Sequence, residues 1–175
     1  NYAPFEVPEA VYEHYKNLTK RGEEAEKQWN TLYENYKAKY PQEYKDFVSA
    51  LENKIPDLEK IESLWDFADK SDATRNSSGI VLNKLADILP NLIGGSADLS
   101  PSTKTYLKGK GSYSADNRTG RNMHFGVREH SMAAISNGIY LHGGFNMFCS
   151  TFFVFTDYMK NAVRRIYVEK RMGYD

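Results

Sequence analysis

Apolar and aromatic residues recur at three- and four-residue spacing from Glu9 to Lys39: Val11, Tyr15 and Leu18, then Ala25, Trp29, Leu32, Tyr33 and Tyr36. That period predicts a long amphipathic helix. A second helix is predicted over Pro41–Asn53, with Tyr44, Phe47, Val48 and Leu51 as its stripe. The charges mostly fall on the other face. The plain expectation is two antiparallel helices with a solvated face. The sharper one is a helical hairpin that binds a partner, for which the tyrosines at 12, 15, 33, 36, 40 and 44 suit half-buried contacts. Before this helix, Pro4 and Pro8 disfavour helix in the residues preceding them, so the start reads as extended. With neither a cap nor a signal, such a start reads as a cut through a longer protein.

After a connector over residues 55–71 the pattern changes, and a domain boundary is expected near Lys70. Asp72 or Thr74 caps a helix running to about Leu89, with Val81, Leu85, Ile88 and Leu89 as its buried stripe and Pro90 beyond its end. A very short strand follows in Asn91–Pro101, where Gly94-Gly95 lets backbone approach closely and Asp98, Ser100 and Ser102 place polar groups at the strand end. Lys104–Thr119 is a polar loop. Then come a strand in Asn122–Val127, a helix over Ser131–Leu141 opened by Arg128-Glu129-His130, and the helix-stopping pair Gly143-Gly144. A strand over Phe145–Thr151 and a helix over Phe153–Arg165 complete the series. Strands alternating with helices predict an α/β fold with a mostly parallel sheet flanked by helices, preceded by a helical linker segment. In such sheets ligands bind beyond the carboxyl ends of the strands, and Glu129 stands there.

Composition narrows the partners. In 175 residues, 23 Lys and Arg balance 23 Asp and Glu, so no basic surplus points to nucleic acid or an anionic membrane. Hydrophobic residues are 41%, yet no apolar run approaches the ~18 residues of a membrane span. The single cysteine, Cys149, has no internal disulfide partner, which fits a reduced, cytoplasmic setting. Neither a dinucleotide-binding glycine fingerprint nor a phosphate-loop signature occurs.

Several residues could carry chemistry. Glu129 in a first turn complements the helix dipole, which is the default explanation for an acid there. Arg75 in a first turn opposes the dipole, and a surface ion pair is its default partner. His124, Glu129 and His130 fit no metal-binding spacing, so no metal ligands are assigned. Ser131 lacks the glycines of a nucleophile elbow. Phe152, Phe155, Tyr158 and Met159 sit at helix-face spacing. Core is the default for such a stripe, and an aromatic box for a flat ring is the alternative.

Taken together, ATR at Ala73–Arg75, GGSADLSPS at Gly94–Ser102, FGVREHSM at Phe125–Met132 and STFFVFTDYMKNAVR at Ser150–Arg164 closely resemble transketolase, in that family's order and at compatible spacing. VPEAVYEHYK at Val7–Lys16 is similar to the family's segment between its first two domains. The resemblance implies a helical linker over 1–70 and part of the pyrimidine-binding domain over 71–175. It implies transfer of a two-carbon ketol unit from a ketose phosphate to an aldose phosphate, on thiamin diphosphate held by Mg2+ or Ca2+, at a site shared by two subunits of a homodimer. Glu129 matches the glutamate that hydrogen-bonds the aminopyrimidine nitrogen, and Phe155, with Phe152 and Tyr158, matches the ring pocket. Asp98 matches an acid near the cofactor; Arg75 and Ser102 match residues that hold the sugar phosphate. Dihydroxyacetone synthase shares these motifs. None of His14, His124, His130 or His142 matches the family's substrate histidines. The first domain, with its metal ligands, and the third are expected to lie outside this chain. The chain alone is therefore expected to be inactive and marginally folded, with an unpaired sheet edge.

Overall fold

Two adjacent glycines sit at the centre of the sheet. In the computed structural model, which describes residues 2–68 and 71–171, the helices are α1 (Glu9–Lys39), α2 (Pro41–Leu51), α3 (Glu62–Trp65), α4 (Thr74–Ile88), α5 (Ser100–Thr103), α6 (Glu129–His142) and α7 (Lys160–Arg171). The strands are β1 (Leu92–Ser96), β2 (Asn122–His124) and β3 (Asn146–Ser150). They form one parallel sheet in the order β2-β1-β3. Gly94 and Gly95 on β1 face Asn122 and Met123 on one side and Phe148 and Cys149 on the other. A Cβ on Gly95 would lie 1.7 Å from the Met123 carbonyl oxygen, so only glycine lets the neighbouring backbone come this close.

Parallel strands need crossovers, and these place the helices on both faces. Alternate residues of β3 point to opposite faces. Phe148 packs on the cluster of Ala86, Leu89, Leu92 and Leu107. Met147 and Cys149 pack on Ala97, Phe125 and Met132. Leu107 and Met132 are fully buried. The expected α/β fold with a parallel sheet flanked by helices is therefore present.

The loop between α5 and β2 is polar, yet it is pinned. Asn122 is buried, its Oδ1 accepts the Leu107 N–H at 2.7 Å, and its Nδ2 donates to the Leu107 and Gly111 carbonyls at 2.9 Å each. Replacing it by alanine strands buried backbone groups, each costing about 1–3 kcal/mol. Asn122→Ala is expected to lower the unfolding free energy by roughly 2–3 kcal/mol, read from the urea midpoint at unchanged slope. A midpoint equal to the wild type would mean that water replaces these bonds without loss.

By compactness the chain divides into Asn1–Val48 and Ser49–Asp175; the boundary expected near Lys70 lies outside the described residues. The first two helices do not close on each other as an antiparallel pair. Tyr40, pushed from the helical region by Pro41, ends α1 with φ −130°. Tyr33 then meets Tyr44 and Phe47 at the corner, with centroids 5.4 and 6.4 Å apart, while Tyr15, Leu18, Trp29 and Leu32 stay exposed. Finally, the single helix expected over Phe153–Arg165 is a 3-10 helix over Phe153–Met159 followed by α7.

Candidate functional site

The site is built where β1 and β2 end. Past β1 the chain turns through Ala97, which is buried, and Asp98, whose φ of 62° is left-handed. Aspartate tolerates that region better than most residues. The turn is held by Ser96, whose Oγ accepts the Leu99 N–H at 3.0 Å. Past β2, Phe125 is buried and Gly126 takes φ 66°. The Arg128 N–H donates to the Gly126 carbonyl at 2.8 Å, and the Arg128 guanidinium to the Phe125 carbonyl at 3.0 Å. This tight turn starts α6 at Glu129, two residues earlier than the periodicity predicts, and sets its carboxyl over the carboxyl end of the sheet.

Glu129 is only 8% exposed. The side-chain contact described for it is Thr151, just past β3, whose hydroxyl donates to Oε1 at 3.5 Å. That is the outer limit of a hydrogen bond, and a carboxylate offers about four acceptor positions. The residue is therefore buried, while its carboxyl keeps free acceptor positions. The carboxyl opens on a cavity of about 520 Å³ lined by Ala97, Asp98, Leu99, Val127, Phe155 and Tyr158 as well. The free positions are reached from that cavity, since among the described residues no fully buried side-chain N or O lacks a partner.

The aromatic wall follows from the 3-10 helix. With three residues per turn, side chains at i and i+3 eclipse. Phe152, Phe155 and Tyr158 thus form one column: Phe155 stacks on Phe152 at 6.1 Å and 20°, and lies 6.3 Å from Tyr158 at 31°. Phe152 and Tyr158 are exposed rather than core, which overturns the default reading of this stripe. Met159, one residue on, turns into the core cluster with Met132 and Phe125.

The structure brings Asp98, Glu129, Phe155 and Tyr158 around one cavity, with Phe152 joined by stacking. Arg75 and Ser102 lie outside that lining. They stand at the same end of the sheet, because the tight connection from α4 to β1 puts the C-terminus of α4 beside the start of β1. Arg75 is exposed and forms no ion pair among the described residues, so the surface pair expected for it is not there. Ser102 is half-buried on α5. His124 instead bonds Ser112 Oγ at 3.0 Å. Thr151 was singled out by no pattern; its position at a strand end, one residue before the aromatic run, was the available signal. Burial pushes the Cys149 thiol pKa up, against the lowering effect of its bond with Ser136, so it packs as a protonated core residue.

Residues 70–173 match the family model described as transketolase, pyrimidine binding domain, and residues 1–56 match that described as transketolase, thiamine diphosphate binding domain. The chain is 44% identical over 161 residues to a transketolase of Halalkalibacterium halodurans, covering 91% of this chain and 24% of that protein. It is 46% identical over 165 residues to the chloroplastic transketolase of Spinacia oleracea, covering 93% and 22%. The crystal structure of Pichia stipitis transketolase in complex with sedoheptulose 7-phosphate superposes with a TM-score of 0.81 at 35% identity, over 93% of this chain and 25% of that one. Transketolase from Leishmania mexicana gives 0.82 at 32% identity, over 93% and 24%. The chain thus spans about a quarter of the length of these relatives. With the pyrimidine-domain model matched over more than half its length, the chain belongs to the transketolase family.

Proposed function

We propose that this chain supplies the aminopyrimidine-binding part of the active site of a thiamin-diphosphate-dependent transketolase, which moves a two-carbon ketol unit from a ketose phosphate to an aldose phosphate. The observation that carries this is Glu129, a buried carboxyl with one long partner facing a cavity beside a stacked aromatic column. Those residues fit a flat heteroaromatic ring with a nitrogen to offer. When bound, thiamin diphosphate supplies the nucleophilic carbon that carries the ketol unit.

The roles of the chain's own residues follow. Glu129 holds a proton opposite a ring nitrogen. Phe155 stacks on the ring, with Phe152 behind it and Tyr158 beside it. Asp98 lines the same cavity. Arg75 presents a planar fork of donors to a phosphate and Ser102 adds a hydroxyl, which accounts for a first-turn cation without an ion pair among the described residues. Mg2+ or Ca2+ would act on the diphosphate from outside this chain. Sugar-phosphate substrates, a homodimer, a cytoplasmic setting and the linker-plus-domain division near residue 70 belong to the same proposal. No helix among the described residues is long and apolar enough to cross a membrane.

The test is an assay of the full-length protein with a ketose phosphate donor and an aldose phosphate acceptor, with and without thiamin diphosphate and Mg2+. Cofactor-dependent formation of the two exchanged sugars is expected. Turnover with formaldehyde as acceptor, and none with aldose phosphates, would assign the chain to dihydroxyacetone synthase instead. Turnover independent of added and bound cofactor would sink the proposal.

A further inference from the structure

A second cavity, of about 630 Å³, lies between α4 and the stretch from α5 to Lys108. It is lined by the uncharged Gly79, Ile80, Pro101 and Tyr106 and by Lys84, Lys104 and Lys108. The one acid lining it, Asp87, is bridged by Lys110, whose ammonium holds the carboxyl pKa below its usual value. Lys84 donates to the Asp66 carbonyl and sits 4.6 Å over the Phe67 ring. Lys104 and Lys108 form no ion pair among the described residues.

Both are held against α4 by their backbones. Lys104 ends α5 in the left-handed region, φ 59°, and its carbonyl packs so closely on Gly79 that a Cβ there would lie 2.7 Å from the oxygen. Lys108 donates its N–H to Asn83 Oδ1 at 2.8 Å. Gly79 and Asn83 stand one and two turns beyond Arg75, about 6 and 12 Å along the helix axis. Arg75, Lys104 and Lys108 are therefore three cations without an ion pair among the described residues, spaced along one side of α4, and the cavity runs between the last two and Asn76, the neighbour of Arg75.

We propose that Lys104 and Lys108 are an electrostatic guide that brings phosphate-bearing substrates to Arg75 and Ser102, and so set preference for phosphorylated over neutral sugars. The proposal rests on the phosphate role given above to Arg75 and Ser102. The lysines touch no reacting atom. A surface lined by one sign of charge raises the local concentration of counter-charged ligand and its rate of capture, and salt removes the effect over a screening length of about 8 Å.

The test uses the full-length protein with Lys104→Glu and Lys108→Glu together, and the milder pair Lys104→Gln and Lys108→Gln should the first fail to fold. For a ketose phosphate at low ionic strength, kcat/KM is expected to fall about five- to tenfold in the Glu pair and less in the Gln pair, with kcat unchanged. The deficit should close as salt rises, and a neutral ketose donor should show none. In parallel, calorimetry with inorganic phosphate should show weaker binding in both variants, which decides the matter even for a protein that transfers no ketol unit. Unchanged phosphate affinity, or an equal loss for neutral and phosphorylated donors, would overturn the proposal while leaving the transferase reading intact. Absence of ketol transfer in the wild type, with phosphate binding still dependent on the lysines, would sink the transferase reading alone.

Discussion

Gly95→Ala is expected to remove the folded α/β unit rather than merely weaken it. The added Cβ would lie 1.7 Å from the Met123 carbonyl oxygen and 2.8 Å from its carbon, where real contacts are beyond 3 Å. These are backbone atoms of the paired strand, so no side chain can swing away. Relief requires β2 to leave β1, and among the described residues β2 pairs with no other strand, its remaining bridge being Asn122 to Ser112. Its departure would also pull on Asn122, which closes the preceding loop onto Leu107 and Gly111. The expected cost is about 4 kcal/mol or more, which for a marginally stable domain means loss of cooperative unfolding. The control is Gly138 on α6, where a Cβ meets nothing within 4 Å. Gly138→Ala is expected to stabilise by about 0.5–1 kcal/mol, because alanine is the better helix former. The two variants have the same chemistry and opposite signs. Urea unfolding followed by circular dichroism reads both. A Gly95→Ala chain that unfolds at the wild-type midpoint would show that the sheet opens without penalty.

The glycine pair is also the clearest case of what the sequence made legible. Gly94-Gly95 at the end of a short apolar run announced a close backbone approach, and the alternation of strands and helices from Asn91 onward announced a parallel sheet. Both follow from local rules that tertiary packing reinforces. Glu129 was legible as an acid at a strand-to-helix junction, although its burial was not, since the default explanation needs no cavity. Spacing left the aromatic column open between core and ring pocket, because residues at 152, 155 and 158 share a face on an α-helix and eclipse on a 3-10 helix. Spacing cannot separate the two, and only the second aligns the rings in one exposed stack. The partner expected for Arg75 was wrong for a different reason. A surface pair was assumed because first-turn cations need compensation, while among the described residues the guanidinium has none. The open corner between α1 and α2 turns on one residue, Tyr40, whose conformation Pro41 dictates, and the period of the stripes on either side carries no trace of it.

Glu129→Gln should separate what holds the fold from what serves the reaction. Glutamine keeps the shape and can still accept the Thr151 hydroxyl, now 3.5 Å from Oε1. It loses the favourable interaction of an acid with the first turn of α6, worth about 0.3–1 kcal/mol, and no buried group is left without a partner. The melting temperature is therefore expected to move by a few degrees at most. The amide cannot give up or take on a proton at the position where the carboxyl faces the cavity. Removing a positioned proton-transfer group typically costs about 10²–10⁴ in rate, and the full-length protein is expected to lose ketol transfer by a factor in that range. KM for the sugar phosphates should change little, because Arg75 and Ser102 lie outside the cavity lined by Glu129. Stability, turnover and KM should thus respond separately to one atom's replacement. A variant with wild-type turnover would remove Glu129 from the mechanism. One that loses turnover only in step with folded fraction would make it a structural residue, leaving the dipole reading of an acid in a first turn as sufficient.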